Sequence, residues 1–198
     1  MTSRREFLQG ATVAAVPMMA GVSAAAQVPV APAPAFHAVL IDDRHAEARA
    51  FGAVLAGRGA SVHAVPDGDV TALWLRTIAP AWRLSPVAVA GLTRPAVLFC
   101  LEQLAWSNGL RVVFHAEHVV TRAGLARHAV HRPSHAAVAL QAQDLLLRGP
   151  LWPGYVADVV ASLGTLTSHA PAGPSCAGLA PPLPADAELL TSWIIAPV

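Results

Sequence analysis

The chain has 198 residues, 55% of them hydrophobic and 13% charged, with a formal net charge of +1 and a mean hydropathy of +0.50. Alanine fills 42 positions, and no run of about 18–20 strongly apolar residues occurs beyond the first 26, which excludes a polytopic membrane protein. The thirteen basic residues are all arginine and form no basic stretch, so nucleic acid is not an expected partner, and the chain is too apolar and too weakly charged for general disorder.

The N-terminus reads Thr2-Ser3-Arg4-Arg5-Glu6-Phe7-Leu8-Gln9. An apolar stretch follows from Gly10 to Gly21, and small residues close it at Val22-Ser23-Ala24-Ala25-Ala26. Charged start, modest apolar core and small-residue cleavage site are the three parts of an export signal. The segment resembles the twin-arginine (Tat) signal: Ser3, Arg4, Arg5, Phe7 and Leu8 match, and Gln9 stands where that pattern has lysine. The resemblance implies passage through the Tat translocase in a folded state, delivery to the periplasm, and cleavage near Ala26 to leave Gln27 first. Passengers of this route often carry a cofactor or travel with a partner that does. No cysteine follows the cleavage point, so a lipid anchor is not expected, nor is stable membrane insertion. Loss of Arg4, Arg5 and Glu6 leaves 11 basic and 11 acidic residues.

The expected organisation is a signal over 1–26, a Pro/Ala linker over 27–35, and one domain over 36–198, long enough for a real core. Ala38-Val39-Leu40-Ile41 suits a buried strand. Asp43 then caps a helix over 44–56 that turns Ala48, Phe51 and Leu55 to one side, and Gly57-Arg58-Gly59 stops it. A second strand is expected over 61–65, a turn at Pro66-Asp67-Gly68-Asp69, a helix over 70–78 with Asp69 as its cap, and a third strand over 86–90. Gly91-Leu92-Thr93 leads into a helix over 94–107 that buries Val97, Leu101, Leu104 and Ala105. A fourth strand covers 110–114. Residues 115–120 and 125–132 read as an antiparallel hairpin around Thr121-Arg122-Ala123-Gly124, with a helix from Ala123 as the competitor. A helix over 153–163, an irregular connection over 169–187 and a final strand over 191–195 complete the chain. Strands alternating with helices imply parallel βαβ units. The expected fold is α/β, a three-layer Rossmann-like or flavodoxin-like, mostly parallel sheet with a C-terminal antiparallel addition.

In open α/β sheets ligands bind beyond the carboxyl ends of the strands. That rule selects Asp42-Asp43-Arg44, Asp67-Gly68-Asp69, Gly91-Leu92-Thr93 and His115-Ala116-Glu117-His118. The acidic pair resembles the opening of response-regulator receiver domains, where carboxylates hold Mg²⁺. A receiver also needs an aspartate after its third strand and a lysine after its fifth. The third strand here ends in Ala90-Gly91 and the chain has no lysine, so a phosphorelay role is excluded. The ordinary role of Asp43 and Thr93 is helix capping. Their functional role is ligand contact, together with Asp42 and Glu117.

Nine histidines are present, five of them at 115, 118, 128, 131 and 135. Imidazole ligates divalent transition metals, and Glu117 adds an oxygen donor, which makes His115 and His118 the candidate metal ligands. Residues 115 and 118 of one strand point to opposite faces, so both cannot simply ligate one ion. Nucleophile motifs are absent: there is no G-x-S-x-G elbow and no C-x-x-C pair. Cys100 reads as a buried, inert thiol, with a disulfide to Cys176 as the alternative. Trp152, in Gly149-Pro150-Leu151-Trp152-Pro153-Gly154, reads as a plug at the sheet edge or the wall of a ligand pocket.

Three roles fit these residues. The first is a Tat-exported periplasmic accessory or small-ligand-binding protein that serves a co-exported redox or metal enzyme. The second is a metal-dependent hydrolase in which a His/carboxylate site activates water, with Glu117 or Asp43 as base. The third is a structural subunit exported with a partner. The sequence contains no complete catalytic constellation that would select an enzyme.

Overall fold

The computed structural model describes residues 36–132, 142–164, 183 and 185–198, all within one unit spanning 33–198. The expected signal, the linker, His135, Cys176 and most of the 169–187 connection lie outside them.

The fold is mixed α/β. The strands are β1 (Ala38–Ile41), β2 (Val62–Ala64), β3 (Val89–Thr93), β4 (Leu110–Thr121), β5 (Gly124–Arg132) and β6 (Glu188–Pro197). Among the described residues they form one six-stranded sheet in the order β2-β1-β3-β6-β4-β5. The first three are parallel. β6 runs antiparallel to both β3 and β4, and β5 is antiparallel to β4. The sheet is therefore mixed, which corrects the mostly parallel expectation. β4 does run in the same direction as β3, as a βαβ unit requires. The chain end takes the place beside β3 that a simple crossover would have given to β4. The reason is visible in β6 itself, where residues 190–196 are all buried. A strand that apolar needs cover on both faces, and a central position provides it.

Alternation along the strands divides the core in two. Val39, Ile41, Ala90, Leu92, Phe114 and Ile194 share one cluster with helices α1 (Ala46–Gly57) and α5 (Trp152–Gly164). Ala38, Leu40, Val89, Val112, Trp193 and Ile195 share the other with α2 (residues 71–84) and α3 (Pro95–Trp106). Helices thus cover both faces. A short helix, α4 (Ala142–Leu147), precedes α5 and was not expected. No helix among the described residues is long and apolar enough to cross a membrane.

Local chemistry explains where several boundaries fall. α1 buries Ala48, Phe51 and Leu55 as its spacing predicts, and Gly52 beside them. Its end closes with Gly59 N–H to Ala56 O and Ala60 N–H to Leu55 O, and Gly59 adopts φ +86°, the left-handed stop that glycine allows. α2 extends past its expected end at 78. It consists of Thr71–Leu73, a π-turn over Trp74–Ile78 and Ala79–Leu84. Pro80 has no N–H and its ring crowds the carbonyl four residues earlier; the wider turn just before it absorbs both defects. β3 starts three residues later than expected and contains Gly91, Leu92 and Thr93. A Cβ on Gly91 would sit 2.5 Å from Trp193 Cζ2 and 2.7 Å from Leu40 O, so the indole of Trp193 can cross the sheet only over a glycine. The 110–114 strand and the first arm of the expected hairpin are one strand, β4, and Gly124 (φ +113°) lets β5 return.

Candidate functional site

Asp42 directly follows β1 and is fully buried. Its carboxylate is held from two directions. Arg44 donates from Nε to Oδ1 at 2.8 Å and from Nη2 to Oδ2 at 2.6 Å. Arg94, which follows β3, donates from Nε to Oδ2 at 3.1 Å. The hydrogen bonds from Arg44 outweigh burial and hold the Asp42 carboxyl below its ordinary 3.8; the charges of Arg44 and His45 lower it further. Asp42 in return raises the pKa of Arg44. Two further acids stand at the rim. Asp67 meets Arg44 Nη1 at 3.2 Å, and Glu188 meets His45 Nε2 at 3.1 Å. Arg44, His45, Arg94, Glu188 and Leu189 line an open cleft of about 440 Å³.

The sequence places these groups for local reasons. β1 and β3 are hydrogen-bonded neighbours, so residues just past their ends share an edge. Pro95 opens α3 and keeps Arg94 extended (φ −68°, ψ 154°), as a residue before proline tends to be. The turn after β2 puts Asp67 at φ 51° and Gly68 at φ +81°. Asp67 is the one described non-glycine residue with positive φ, and short polar side chains tolerate that region best. β6 enters from the opposite direction, so its first residue, Glu188, lies at the same edge as the ends of β1 and β3.

A second polar system is buried between β4, β5 and β6. His118 Nε2 lies 2.8 Å from Ser192 Oγ, and His118 Nδ1 lies 2.9 Å from His128 Nδ1. The rings of His118 and His128 stack with centroids 4.6 Å apart, and Trp152 stacks on His118 at 4.5 Å. Burial pushes the His118 pKa well below its ordinary 6.5, and the nearby His128 and His115 rings add to the effect. Hydroxyl, imidazole and imidazole in series have the connectivity of an activated nucleophile. Ser192 and His118 are fully buried, however, and His128 nearly so, so in this fold the hydroxyl does not meet solvent. The order also fixes the proton count: with both rings neutral, one proton occupies each bond of the chain.

The expected site residues do not converge on one place. Asp42 lies at the cleft. Asp43 is exposed and caps nothing; α1 begins one residue after His45, its N-cap, which has no side-chain capping bond, and the Asp43 carbonyl accepts from Arg49 Nη1. Thr93 is fully buried, accepts from Trp193 Nε1 at 3.0 Å and donates to Arg94 O at 3.2 Å. Arg94 rather than Thr93 is the N-cap residue of α3. His115 and Glu117 line a small hollow of about 170 Å³ with Pro95, Phe99 and Glu102, on the sheet face opposite His118. Among the described residues no group of three or more His, Cys, Asp or Glu side chains is arranged to hold a metal ion. Val70 rather than Asp69 is the N-cap residue of α2, although the Asp69 carboxylate accepts from Thr71 N–H at 2.8 Å. Cys100 is exposed rather than buried, because α3 turns Val97, Leu98, Leu101 and Ala105 inward. Trp152 is buried at the start of α5 and also lines a groove of about 480 Å³ with Ala46, Leu125, Leu146 and Pro150, so plug and wall describe the same side chain.

Sequence reasoning selected Arg44 only as part of Asp42-Asp43-Arg44, did not single out Arg94 as lining the same cleft, and missed the His118–His128–Ser192 chain. The signal for Arg94 was present: an arginine between a strand end and a proline. Ser192 gave none, because its partner depends on β6 inserting beside β4.

Comparison with known proteins returned no match to this chain among protein-family models, curated proteins or solved structures.

Proposed function

We propose that the chain is a Tat-exported periplasmic protein that binds a small ligand and serves a co-exported enzyme, with no catalytic centre of its own. The observation that carries this reading is the open cleft at the ends of β1 and β3, floored by two arginines that a buried aspartate holds in place. β1, β2 and β3 are parallel neighbours joined by helices, and a Rossmann-like reading of this part supports the site, because in open α/β sheets ligands bind beyond the carboxyl ends of the strands. A preformed concave site with a few convergent polar groups is the usual form of a small-molecule site. The export half of the proposal rests on Ser3-Arg4-Arg5-x-Phe7-Leu8 and the small residues before Gln27.

The test is expression of the full chain in a Tat-competent bacterium, followed by fractionation and native mass spectrometry of the recovered protein. The expected result is periplasmic protein beginning at Gln27, a co-purifying small molecule, and cytoplasmic retention of the Arg4→Lys/Arg5→Lys variant. Export that is indifferent to both arginines would refute the localisation. Periplasmic protein that carries no small molecule and acquires none from a periplasmic extract would refute the binding role.

A further inference from the structure

We infer that the ligand of this cleft carries an oxyanion, a carboxylate or phosphate group gripped by the Nη1 and Nη2 atoms of Arg94 with Arg44 beside it. The inference rests on the small-ligand reading above and names the ligand class for the same site.

Arginine has five N–H donors and no accessible neutral form. Arg94 gives its Nε to Asp42. Its Nη1 and Nη2 are absent from every hydrogen bond and ion pair among the described residues, while the side chain is 39% exposed at the cleft. These two nitrogens form the end of the guanidinium fork, and two parallel N–H bonds from such a fork match a carboxylate or phosphate edge. Arg44 differs: Nε and Nη2 are spent on Asp42 and Nη1 reaches Asp67. It contributes charge beside the ligand more than a free fork.

Net charge does not carry the inference: the two guanidinium groups are matched by Asp42, Asp67 and Glu188, and Asp67 pairs with Arg44 at 3.2 Å. Glu188 faces His45, and the Glu188 and Asp67 side chains are 64% and 89% exposed, where water and salt screen them. What selects an oxyanion is the unfilled Nη1–Nη2 edge of Arg94. A neutral or cationic ligand would leave the fork of Arg94 without an acceptor.

The surroundings also keep the fork in place. Asp42 fixes Nε from below, and Pro95 fixes the backbone from behind. Gly68 leaves space at the tip: a Cβ there would stand 3.1 Å from Arg94 Nη2. An arginine tethered at one edge and left open at the other loses little entropy when an anion arrives, which is how preorganisation gains affinity.

The experiment titrates the purified full chain with inorganic phosphate, succinate, glycerol or putrescine at constant ionic strength, read by thermal shift and calorimetry. Wild type, Arg94→Gln and Arg94→Lys are compared. Arg94 also holds the buried Asp42 carboxylate, so each protein is compared with its own ligand-free unfolding temperature and the readout is the ligand-induced shift. The expected result is saturable stabilisation by phosphate or succinate, weakened about 10- to 100-fold in Arg94→Gln, as expected for loss of charge-assisted bonds. Arg94→Lys should keep the charge, lose the fork and fall between. A response to phosphate alone identifies a phosphate group, and one to succinate alone identifies a carboxylate. Anion binding unchanged in Arg94→Gln would overturn the inference. Saturable binding of glycerol or putrescine but of neither anion would overturn it while leaving the small-ligand reading intact. Saturation by none of the four compounds would overturn both.

Discussion

Burial of His118 has a consequence for acid stability that can be worked out in sign and size. In the folded chain, burial first and the His128 and His115 rings second disfavour the charged form and push the pKa well below 6.5. In the unfolded chain the ring takes up its proton near the ordinary value of about 6.5. Between the two values the unfolded state binds one more proton, so stability falls as pH falls. The contribution is complete above pH ~6.5 and is lost on acidification by up to ~1.4 kcal/mol per pH unit. A site that stays neutral throughout would lose ~2 kcal/mol between pH 7.5 and pH 5.0 by the same relation. The perturbation is His118→Gln, whose amide can face Ser192 but does not titrate in this range. The assay is urea unfolding of the full chain at four pH values from 7.5 to 5.0, followed by tryptophan fluorescence and circular dichroism. Trp152, stacked on the ring, supplies a local probe. The variant will differ from wild type at neutral pH, because the hydrogen-bond chain is altered, so the decisive quantity is the slope. Wild type should lose about 2 kcal/mol more than the variant over the interval. Equal slopes in the two proteins would refute the argument that His118 is buried neutral.

Two further substitutions test the surrounding structure. Gly91→Ala places a methyl 2.5 Å from Trp193 and 2.7 Å from the Leu40 carbonyl; the backbone contact cannot yield cheaply, so a loss of about 2 kcal/mol or more is expected in denaturant unfolding, and a change below ~0.5 kcal/mol would show that Trp193 does not cross Gly91 as described. Asp42→Asn removes the charge that organises Arg44 and Arg94, and a loss of about 1–3 kcal/mol is expected at neutral pH. The folded Asp42 carboxyl titrates below 3.8, so this stabilisation is present above that pH and fades as pH falls through the lower folded value. The stability gap between wild type and Asp42→Asn should therefore narrow in acid, and a gap that widens would contradict the geometry of the Arg–Asp–Arg group.

The first half of the fold was legible in the sequence because its signals are local. Ala38–Ile41, the Ala48/Phe51/Leu55 stripe and Gly57-Arg58-Gly59 each depend on neighbours within a few residues, and each appears where the pattern put it. The antiparallel hairpin at 121–124 was readable for the same reason. The position of β6 was not. An apolar strand near the C-terminus pairs through contacts about 70–105 residues away, and nothing in Leu190-Thr191-Ser192-Trp193-Ile194 names its neighbours. The displaced boundary of β3 has the same origin: Gly91 reads as a loop residue until Trp193 is laid across it. Asp42 was identified at a strand end, with Arg44 in the same selected triplet, by a topological rule, whereas Arg94 and the pairing of both arginines with Asp42 were missed because charge neutralisation of a buried carboxylate is a property of the packed state. Thr93 was misread as a cap because Pro95 shifts the helix start by one residue, and the hydroxyl was then free to accept from an indole on a strand whose position was unknown.

The placement of β6 is also what ties the two polar systems together. Its successive side chains serve different sites. Glu188 reaches His45 at the cleft rim, Thr191 donates to Thr93 O at 3.1 Å, Ser192 joins His118, and Trp193 donates to the Thr93 hydroxyl. Alternation along a strand sends residues 191 and 193 to one face and residue 192 to the other, so a single antiparallel strand satisfies polar groups on both sides of the sheet. These bonds also explain why so much hydroxyl and imidazole can be buried here. An unmet buried polar group costs about 1–3 kcal/mol, and β6 supplies partners for Thr93 and His118 at once. A one-residue slip of β6 would reverse every side chain, turning Trp193 toward His118 and Ser192 toward Thr93, with Gly91 no longer beneath the indole. The register is thus specified by three fits that only this pairing satisfies together, and the end of the strand that forms the cleft rim is held by the same choice.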